Sequence, residues 1–589
     1  MAFDCCAAQS PTRDVLQIKK CYHSTCNPRP SAPKSIELFV YPLFQELAVA
    51  SVGMWTWDAI DSSYFVLRAC LCGVKGDMPG SAKLSGMGGH SAFYGDHFSL
   101  VHGACTSQNR ARLYYPISPP QREIYNSGHP IIDFKHFLWR TQEQYWTSIK
   151  ELESARTEKE RQKIVYGSGI SRLSICAASP AFSHPSFFPL DPFHLFYENC
   201  MPFIWDLWVK ESDTDEIIHM DSDIASQLGE EIEKAVKTLP PSFSGLIRNP
   251  YKKCSSQYKI YEWMALLHWY IIPIAWELGF NRRVLGNFAK FVDIVETAMS
   301  HSPKSDEDLA RLYDLVVSFL NEYEDLYVGD DPAKVLRCRL CIWQLIHVPI
   351  HIEWNGSIRF GSQATVERAI GEIGHKVRSK KAPFANIATI LFERANNKVL
   401  ALLYPSLDIS SQIKREREHL YQPIKIKNKE MEGPSEYWEH LAAICDDLQI
   451  DLDLSLKIQR WGKCVLPGDT TLKSRISEKA GQVSRSSKYF EAMKQGELLF
   501  GEALAFYSLP DYNHSVVIYH PLEQMSIIFK RWCGQWSNSI VVLETSKITK
   551  LVGIVEGKQY VHILRKHVGL SLLKAEDYGL ENEIEEDEN

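Results

Sequence analysis

The sequence contains no apolar run long enough to cross a membrane, which takes about 18 consecutive apolar residues. The nearest candidate, residues 263–278 (WMALLHWYIIPIAWEL), is shorter and contains His268, Pro273 and Glu277. A segment of this kind is typical of a buried helix in a globular protein. We therefore predict that the chain has no membrane partner.

The sequence also has no excess of positive charge. It carries 65 Lys and Arg against 72 Asp and Glu, which gives a net charge of −7. This balance excludes a basic signature over the whole chain, so any binding of nucleic acid has to depend on local patches. The 15 cysteines are scattered, and no basic segment followed by an apolar one opens the sequence. We therefore expect reduced thiols in a nuclear or cytoplasmic protein that is not secreted.

Several common catalytic and metal-binding motifs are missing as well. Neither a P-loop nor a G-x-S-x-G motif occurs, which excludes the usual nucleotide-hydrolase and α/β-hydrolase signatures. Cys338 and Cys341 lie in an apolar segment without a second Cys/His pair at zinc spacing, and two ligands do not make a structural zinc site. We predict that both are buried thiols.

The 589 residues have an ordinary globular composition, 45% hydrophobic and 23% charged. Their patterning predicts an α/β region followed by a largely α-helical region and a small β-rich module, in which short strands alternate with turn residues and build an antiparallel sheet or barrel. The expected segments are an irregular lead-in (1–35), the α/β region (36–245), a helical domain (246–410), a basic linker or helical region (411–490), the β-rich module (491–575) and an acidic tail (576–589).

The first candidate for chemistry is Asp77, within residues 76–80 (GDMPG). An apolar run at 64–74 precedes it and is predicted to be a buried strand, whereas the seven glycines between 76 and 103 predict a loop. A carboxylate at the end of a buried strand can hold a metal ion, and two-metal chemistry needs at least two or three such groups. Alternatively, Asp77 caps a turn in which the ring of Pro79 fixes the backbone φ angle at that position.

The second candidate is the row formed by Asp191, His194 and Glu198. If Pro192 opens a helix, Asp191 is its N-cap, and the three side chains lie along one helix face. A carboxylate, an imidazole and a carboxylate in line could hold a metal ion or position a water molecule. The alternative is an N-cap aspartate beside a buried histidine.

The third candidate is a polar and basic region. Residues 351–357 (HIEWNGS) carry several polar side chains, and a predicted helix at 363–378 contains Arg368. A cluster of cations follows, namely Lys376, Arg378, Lys380 and Lys381, with further basic groups at 414–417 and 425–429. Such a cluster is compatible with phosphate contacts, but the dipole of a helix also favours cations at its C-terminal end.

Taken in order, these blocks resemble the transposases of CACTA (En/Spm) elements in the form found in fungal genomes. The resemblance covers roughly residues 27–400, and its blocks lie at 33–36 (PKSI), 55–59 (WTWDA), 76–84 (GDMPGSAKL), 89–90 (GH), 114–117 (YYPI), 191–199 (DPFHLFYEN) and 367–368 (ER). It implies a partial RNase H-like core with an insertion within residues 36–245. It also implies a nuclear protein whose partner is DNA, either transposon ends or DNA of any sequence.

By this resemblance Asp77 is the second catalytic, metal-binding aspartate, and Glu198, or alternatively Asp191, is the third acid. The implied reaction is cleavage and transfer of DNA strands with Mg²⁺. Two departures from the family pattern change the expectation. Asp96 and Ser99 stand where the family has a Cys-x-x-Cys pair, so no zinc is expected. No strand that could carry the first catalytic aspartate is predicted before residue 33.

We therefore predict a truncated, degenerate transposase that is catalytically defective. The alternative is a domesticated protein that binds DNA or chromatin through residues 359–488 and the β-rich module without any catalysis. The sequence leaves the oligomeric state open.

Overall fold

The computed structural model describes residues 35–58, 61–105, 113–120, 132–253, 258–379, 381–404, 436–449, 459–466, 470–480, 485–509 and 512–566. The chain is a mixture of helix and sheet, about 50% helical and 19% strand, and its main sheet lies near the C-terminal end. The predicted mixture of helix and sheet with a β-rich C-terminal module is confirmed. The α/β region predicted at 36–245 is not confirmed, because the strands in its described residues are Met54–Asp58 and Ser63–Leu67, which form a single hairpin.

Two compact units make up the chain, and each combines two separate segments. The first unit contains Met1–Cys200 and Asp293–Ile409. The second unit contains Met201–Val292 and Ser410–Asn589. A fragment cut at a single point in the middle of the chain would therefore remove part of both units.

The first unit is mainly helical, with one hairpin of strands β1 (Met54–Asp58) and β2 (Ser63–Leu67). Its helices are Glu37–Val52, Met78–Ser85, Gln142–Ser154, Glu158–Ser168, Ile175–Ala178, Phe193–Cys200, Asp306–Tyr327, Pro332–Arg337, Leu340–Trp343, Gln344–His347, Val348–Asn355, Ile358–Gly361, Ala364–Lys376 and Pro383–Leu403. A further helix, Arg282–Met299, begins in the second unit and ends in the first.

The buried strand predicted at 64–74 is wrong. Strand β2 ends at Leu67 and pairs only with β1 in an exposed hairpin, in which Tyr64 is 66% exposed. The apolar run was therefore not a sign of burial for the strand itself, although Val74 at the end of the run is buried in the core.

The loop predicted throughout the glycine-rich stretch is also wrong in part, because a helix, Met78–Ser85, lies within it. Asp77 caps the first turn of this helix, and Gly86 ends it in the left-handed conformation with φ of 76°. Capping residues at both ends thus stabilise a short helix in a stretch whose glycine content predicted a loop.

The charged, amphipathic pattern of residues 142–166 predicts one helix, but the segment forms two. Thr141 and Thr157 each open a helix with a capping box, and the chain is extended at Ala155 between them. These helices help to cover one hydrophobic cluster of the first unit, whose buried members are Val40, Phe44, Val74, Leu84, Tyr145, Ile149, Leu152, Ile170, Cys176, Phe182, Phe187 and Phe188.

The second unit packs helices with a β-barrel. Its helices are Met201–Asp206, Leu207–Glu211, Ser222–Ala235, Val236–Thr238, Pro250–Lys253, Ile260–Ala265, Leu266–Tyr270, Ile271–Glu277, Glu436–Leu448, Arg475–Ala480 and Thr545–Lys547. Residues 263–278, predicted as a buried helix, lie up to Glu277 in the three consecutive helical segments between Ile260 and Glu277, and most of them are buried. In the ranges that the structure describes, no helix is both long and apolar enough to cross a membrane.

Six antiparallel strands of the second unit close into a barrel in the order β6–β7–β8–β9–β12–β11 and back to β6. They are β6 (Tyr489–Lys494), β7 (Glu497–Leu509), β8 (His514–Ile528), β9 (Arg531–Trp536), β11 (Ile548–Glu556) and β12 (Val561–Arg565). Strands β3 (Gln459–Trp461) and β10 (Val541–Glu544) extend it, and β4 (Lys463–Leu466) and β5 (Thr470–Lys473) form a separate hairpin. The predicted antiparallel sheet or barrel is confirmed.

Close backbone approach within the barrel requires glycine at two positions. A Cβ atom on Gly501 would lie 2.3 Å from the Tyr519 ring, and one on Gly534 would lie 2.6 Å from the Glu523 carbonyl oxygen. The β7–β8 and β8–β9 pairings each contain a shift of register. Such bulges increase local twist and bend, and thereby help a sheet of six strands to close.

Candidate functional site

Asp77, the first predicted catalytic acid, is exposed and acts as a helix cap. Its Oδ1 accepts a hydrogen bond of 2.8 Å from the backbone N–H of Gly80. Since β2 ends ten residues earlier, at Leu67, Asp77 does not lie at the end of a strand. The prediction of a strand-end carboxylate is wrong for this residue, and the capping alternative describes its contacts.

The structure does bring Asp191, His194 and Glu198 together. Asp191 caps the helix Phe193–Cys200, because its Oδ1 accepts the N–H of Phe193 at 3.0 Å. Its Oδ2 pairs with Nδ1 of His194, whose Nε2 lies 3.1 Å from Oε2 of Glu198. The predicted row on one helix face is confirmed, with the imidazole between the two carboxylates.

The charges in this row are coupled. Burial acts to lower the pKa of His194, but Asp191 and then Glu198 outweigh it and hold the pKa above its ordinary value. An imidazole that donates from both nitrogens has no lone pair to offer to a metal ion. The row can therefore store and share a proton, and it does not present an open set of metal ligands.

Elsewhere in the described ranges, no group of three or more His, Cys, Asp and Glu side chains is arranged to hold a metal ion. A two-metal site takes two or three converging carboxylates. Asp77 is committed to its helix cap and Glu198 to His194. The Mg²⁺ site at these two residues stays a prediction, and the side-chain contacts do not favour it.

We expect His194 to titrate above its ordinary pKa of 6.5, because two carboxylates flank its ring. Replacement of Asp191 by Asn should lower this pKa clearly, and replacement of Glu198 by Gln should lower it less, because Glu198 is half exposed. NMR titration of the imidazole nitrogens measures both shifts. A His194 pKa at or below 6.5 in the parent protein would contradict the described geometry.

Asp191 also positions the helix that leads to the basic cluster. Its Oδ1 accepts the backbone N–H of Gln363 at 3.1 Å, immediately before the helix Ala364–Lys376. This helix has 13 residues. At 1.5 Å per residue it separates the acidic row from the basic end by about 20 Å. The two groups could therefore contact different parts of one extended ligand.

The basic end of this helix is exposed. In the described residues, the side chains of Lys376, Arg378 and Lys381 are exposed and none forms an ion pair. Arg368 is half-buried within the helix, which makes it less available to a ligand. Lys380 and the basic groups at 414–417 and 425–429 lie outside the described residues.

Sequence reasoning missed the most heavily bonded acid of the first unit, Asp96. Its Oδ2 accepts hydrogen bonds from Ser99 Oγ at 2.5 Å, Trp343 Nε1 at 2.9 Å and His347 Nε2 at 2.8 Å. Its Oδ1 accepts the N–H of Phe98 at 3.0 Å. Burial acts to raise the pKa of Asp96, but these donors, above all His347, hold it well below its ordinary value.

His351, which was predicted to lie on a polar surface, is completely buried. Its Nδ1 accepts the N–H of Leu190 at 3.3 Å, and its ring packs against Phe98 at 4.3 Å between centroids. Burial, and then the neighbouring His347, lower the pKa of His351 to about 3. Within 351–357, the exposed side chains of Glu353 and Asn355 keep the surface character that was expected.

A separate cavity of about 610 Å³ opens near the helix Glu158–Ser168, and Tyr94, Tyr166, Arg161 and Arg172 line part of it. Both guanidinium groups already have partners. Arg161 donates to the carbonyl oxygen of Ser171 at 2.8 Å, and Arg172 pairs with Glu37. The cavity therefore offers aromatic surface without a free cation.

Compared with known proteins, the chain matches no family model, and no curated protein is similar enough to count as a relative. The resemblance to CACTA transposases thus depends on the sequence motifs alone.

Proposed function

We propose that this chain is a transposase-derived nuclear protein that binds DNA and does not cut it. The observation that carries the proposal is the exposed cluster of Lys376, Arg378 and Lys381, which has no acidic partner within the described residues. Exposed lysine and arginine side chains that form no ion pair can neutralise DNA phosphates and release the counterions bound to them. The net charge of −7 makes such a local concentration notable.

The contacts of the acidic residues support the non-catalytic half of the proposal. Asp77 caps a helix, and Asp191 accepts bonds from Phe193, Gln363 and His194. Asp77 and Glu198 are exposed to solvent, but the first is bonded to the N–H of Gly80 and the second is paired with His194. Two-metal phosphodiester cleavage uses two or three carboxylates that converge on the metal ions.

An RNase H-like ancestry of residues 36–245 is part of the same proposal and is supported by the order of the sequence motifs. In this range the described residues contain one two-stranded hairpin, so the proposal concerns descent and not a preserved catalytic sheet. The second candidate, a nuclease remnant with Mg²⁺ at Asp77 and Glu198, is favoured only by the partial exposure of these two carboxylates.

The test measures binding of the full chain to a DNA duplex over a series of salt concentrations. We expect weak binding without sequence preference and a triple variant, K376A/R378A/K381A, with lower affinity at low salt. Because each phosphate contact contributes about 0.9 to the slope of log K against log salt, the slope should become shallower by up to about 3. The full chain is needed because a fragment such as 330–490 would divide both units.

The matched control is K150A/R156A/K159A, which removes the same charges from exposed positions on two other helices of the first unit and on the segment between them. It should bind DNA nearly as the parent does. Equal losses in both variants, or no binding at low salt, would refute the proposed surface. Nicking of supercoiled DNA with Mg²⁺ that disappears in D77N and E198Q would refute the non-catalytic half and support the nuclease remnant.

A further inference from the structure

Four buried side chains of the first unit converge from two distant parts of the sequence. Asp96 and Ser99 are three residues apart in one turn, and both are 0% exposed. His347 and His351 are four residues apart on the helical segments Gln344–His347 and Val348–Asn355, and both are also 0% exposed. The ring of Phe98 lies 5.3 Å from the His347 ring and 4.3 Å from the His351 ring.

This spacing is that of a structural zinc site. Such sites commonly take two ligands from a short turn, two to four residues apart from each other, and two histidines spaced by about three to five residues on a helix. The present chain has D-x-x-S in the turn and H-x-x-x-H on the facing helical segments. The spacing along the chain agrees with that of such a site, and the turn residues have the wrong chemistry for zinc.

The donor set as it stands does not fit a metal ion. Asp96 Oδ2 already accepts three hydrogen bonds, and its distance of 2.8 Å to His347 Nε2 is that of a direct hydrogen bond. A zinc ligand lies about 2.0–2.3 Å from the metal, and the neutral hydroxyl of a serine is not among the usual ligands. The carboxylate occupies the centre that a metal ion would take and bonds directly to the histidine.

Two histidine nitrogens of the cluster are left without partners. His347 Nδ1 and His351 Nε2 are buried, and neither atom has a hydrogen-bond partner within the described residues. Buried polar atoms in native proteins nearly always have a partner, so two orphan nitrogens in one cluster need a cause. Loss of a metal ion is such a cause for His351 Nε2, whereas His347 already bonds Asp96 through Nε2 and its unpaired Nδ1 lies on the opposite side of the ring.

We propose that Asp96, Ser99, His347 and His351 are the four positions of a zinc knuckle in which a hydrogen-bonded carboxylate has replaced the metal. In the unmodified protein, the hydrogen bonds of Asp96 therefore join the 96–99 turn to the 344–355 segment, and no metal ion is needed there. Cysteines at positions 96 and 99 convert the cluster into a Cys₂His₂ site. This inference is independent of the proposed DNA binding, because it concerns only the interior of the first unit.

The test uses the full chain with D96C/S99C, prepared in the presence of Zn²⁺ or Co²⁺. We expect one additional metal ion per chain relative to the parent, thiolate-to-cobalt absorption with Co²⁺, and a fall in the thermal midpoint when a chelator is added. Because the chain has 15 cysteines of its own, the parent is the first control. The matched control is D133C/H136C, which adds two thiols at the same spacing in an exposed turn.

In the background of D96C/S99C, replacement of His347 by Gln should remove the additional metal ion. The proposal is overturned if D96C/S99C gains no metal, if it fails to fold even with Zn²⁺, or if H347Q leaves the gained metal bound. It is also overturned if the parent itself holds one zinc ion that H347Q releases, because the hydrogen bonds would then not have replaced the metal.

Discussion

Replacing Asp96 by Ala is expected to lower the free energy of unfolding of the first unit by about 3–5 kcal/mol, the usual effect of removing one partner of a buried ion pair. The change deletes the acceptor for Ser99, Trp343 and His347 at once, and all of these groups are shielded from water. Native-state hydrogen exchange measures the effect, because it reports the stability of each unit separately.

The control for this prediction is Asp133→Ala, which removes an exposed partner of His136 in the same unit and should leave hydrogen exchange unchanged. Asp96→Asn keeps the size of the side chain but replaces one acceptor oxygen by an N–H₂ donor, which then faces either the three donors at the Oδ2 position or the N–H of Phe98 at the Oδ1 position. It should therefore also destabilise the unit. If D96A exchanged like the parent, the buried cluster would not hold the turn and the helical segment together.

Replacing Glu262 by Ala is expected to lower the free energy of unfolding of the second unit by about 3 kcal/mol. Glu262 is 0% exposed and accepts hydrogen bonds from the backbone N–H, Nε and Nη2 of Arg248, and from the N–H of Lys259 at 2.7 Å. The side chain of Arg248 is 41% exposed, so water can solvate the guanidinium group after the change. This limits the loss to the lower end of the range for buried pairs.

The Glu262 pair also makes stability depend on pH. Burial acts to raise the pKa of Glu262, but the donors from Arg248 and Lys259 outweigh it and hold the pKa below its ordinary 4.5. A depressed carboxyl pKa contributes stability above the unfolded value, and this contribution is lost as the pH falls through the folded value. Unfolding measured between pH 3 and 6 should therefore depend less steeply on pH in E262Q than in the parent.

An exposed pair provides the control for Glu262. Glu231 pairs with Lys234 on the surface of the same unit, and Glu231→Ala should change neither the stability nor its pH dependence measurably. Identical pH profiles for the parent and E262Q would show that Glu262 is not held ionised by its partners in the folded protein.

Local patterns in the sequence predicted local structure correctly. The S-x-x-D spacing of Ser305 and Asp308 predicts a capping box, and these residues form one at the start of the helix Asp306–Tyr327. Asp191 is the N-cap, and His194 and Glu198 follow it on one face, because helical geometry alone places residues three and four apart side by side. The alternating runs near the C-terminus likewise predicted the strands, since side chains of a half-buried strand point to opposite faces in turn.

Tertiary structure alone decided which distant residues meet. Asp96 and His347 are separated by 251 positions in the sequence and lie 2.8 Å apart in the fold. The apolar run at 64–74 looked buried, yet Tyr64 of β2 is 66% exposed in a hairpin with β1. A hydrophobic pattern shows that a face can be buried and does not say which element covers it.

The sequence by itself therefore determined the helix caps, the acid–histidine–acid row and the β-rich character of the C-terminal part, all of which depend on spacings of a few residues. Only the tertiary structure decided the closure of the barrel, the two discontinuous units and the cluster around Asp96. The physical reason is that hydrogen bonds within one helical turn follow from backbone geometry, whereas a contact across hundreds of residues depends on the packing of the whole unit.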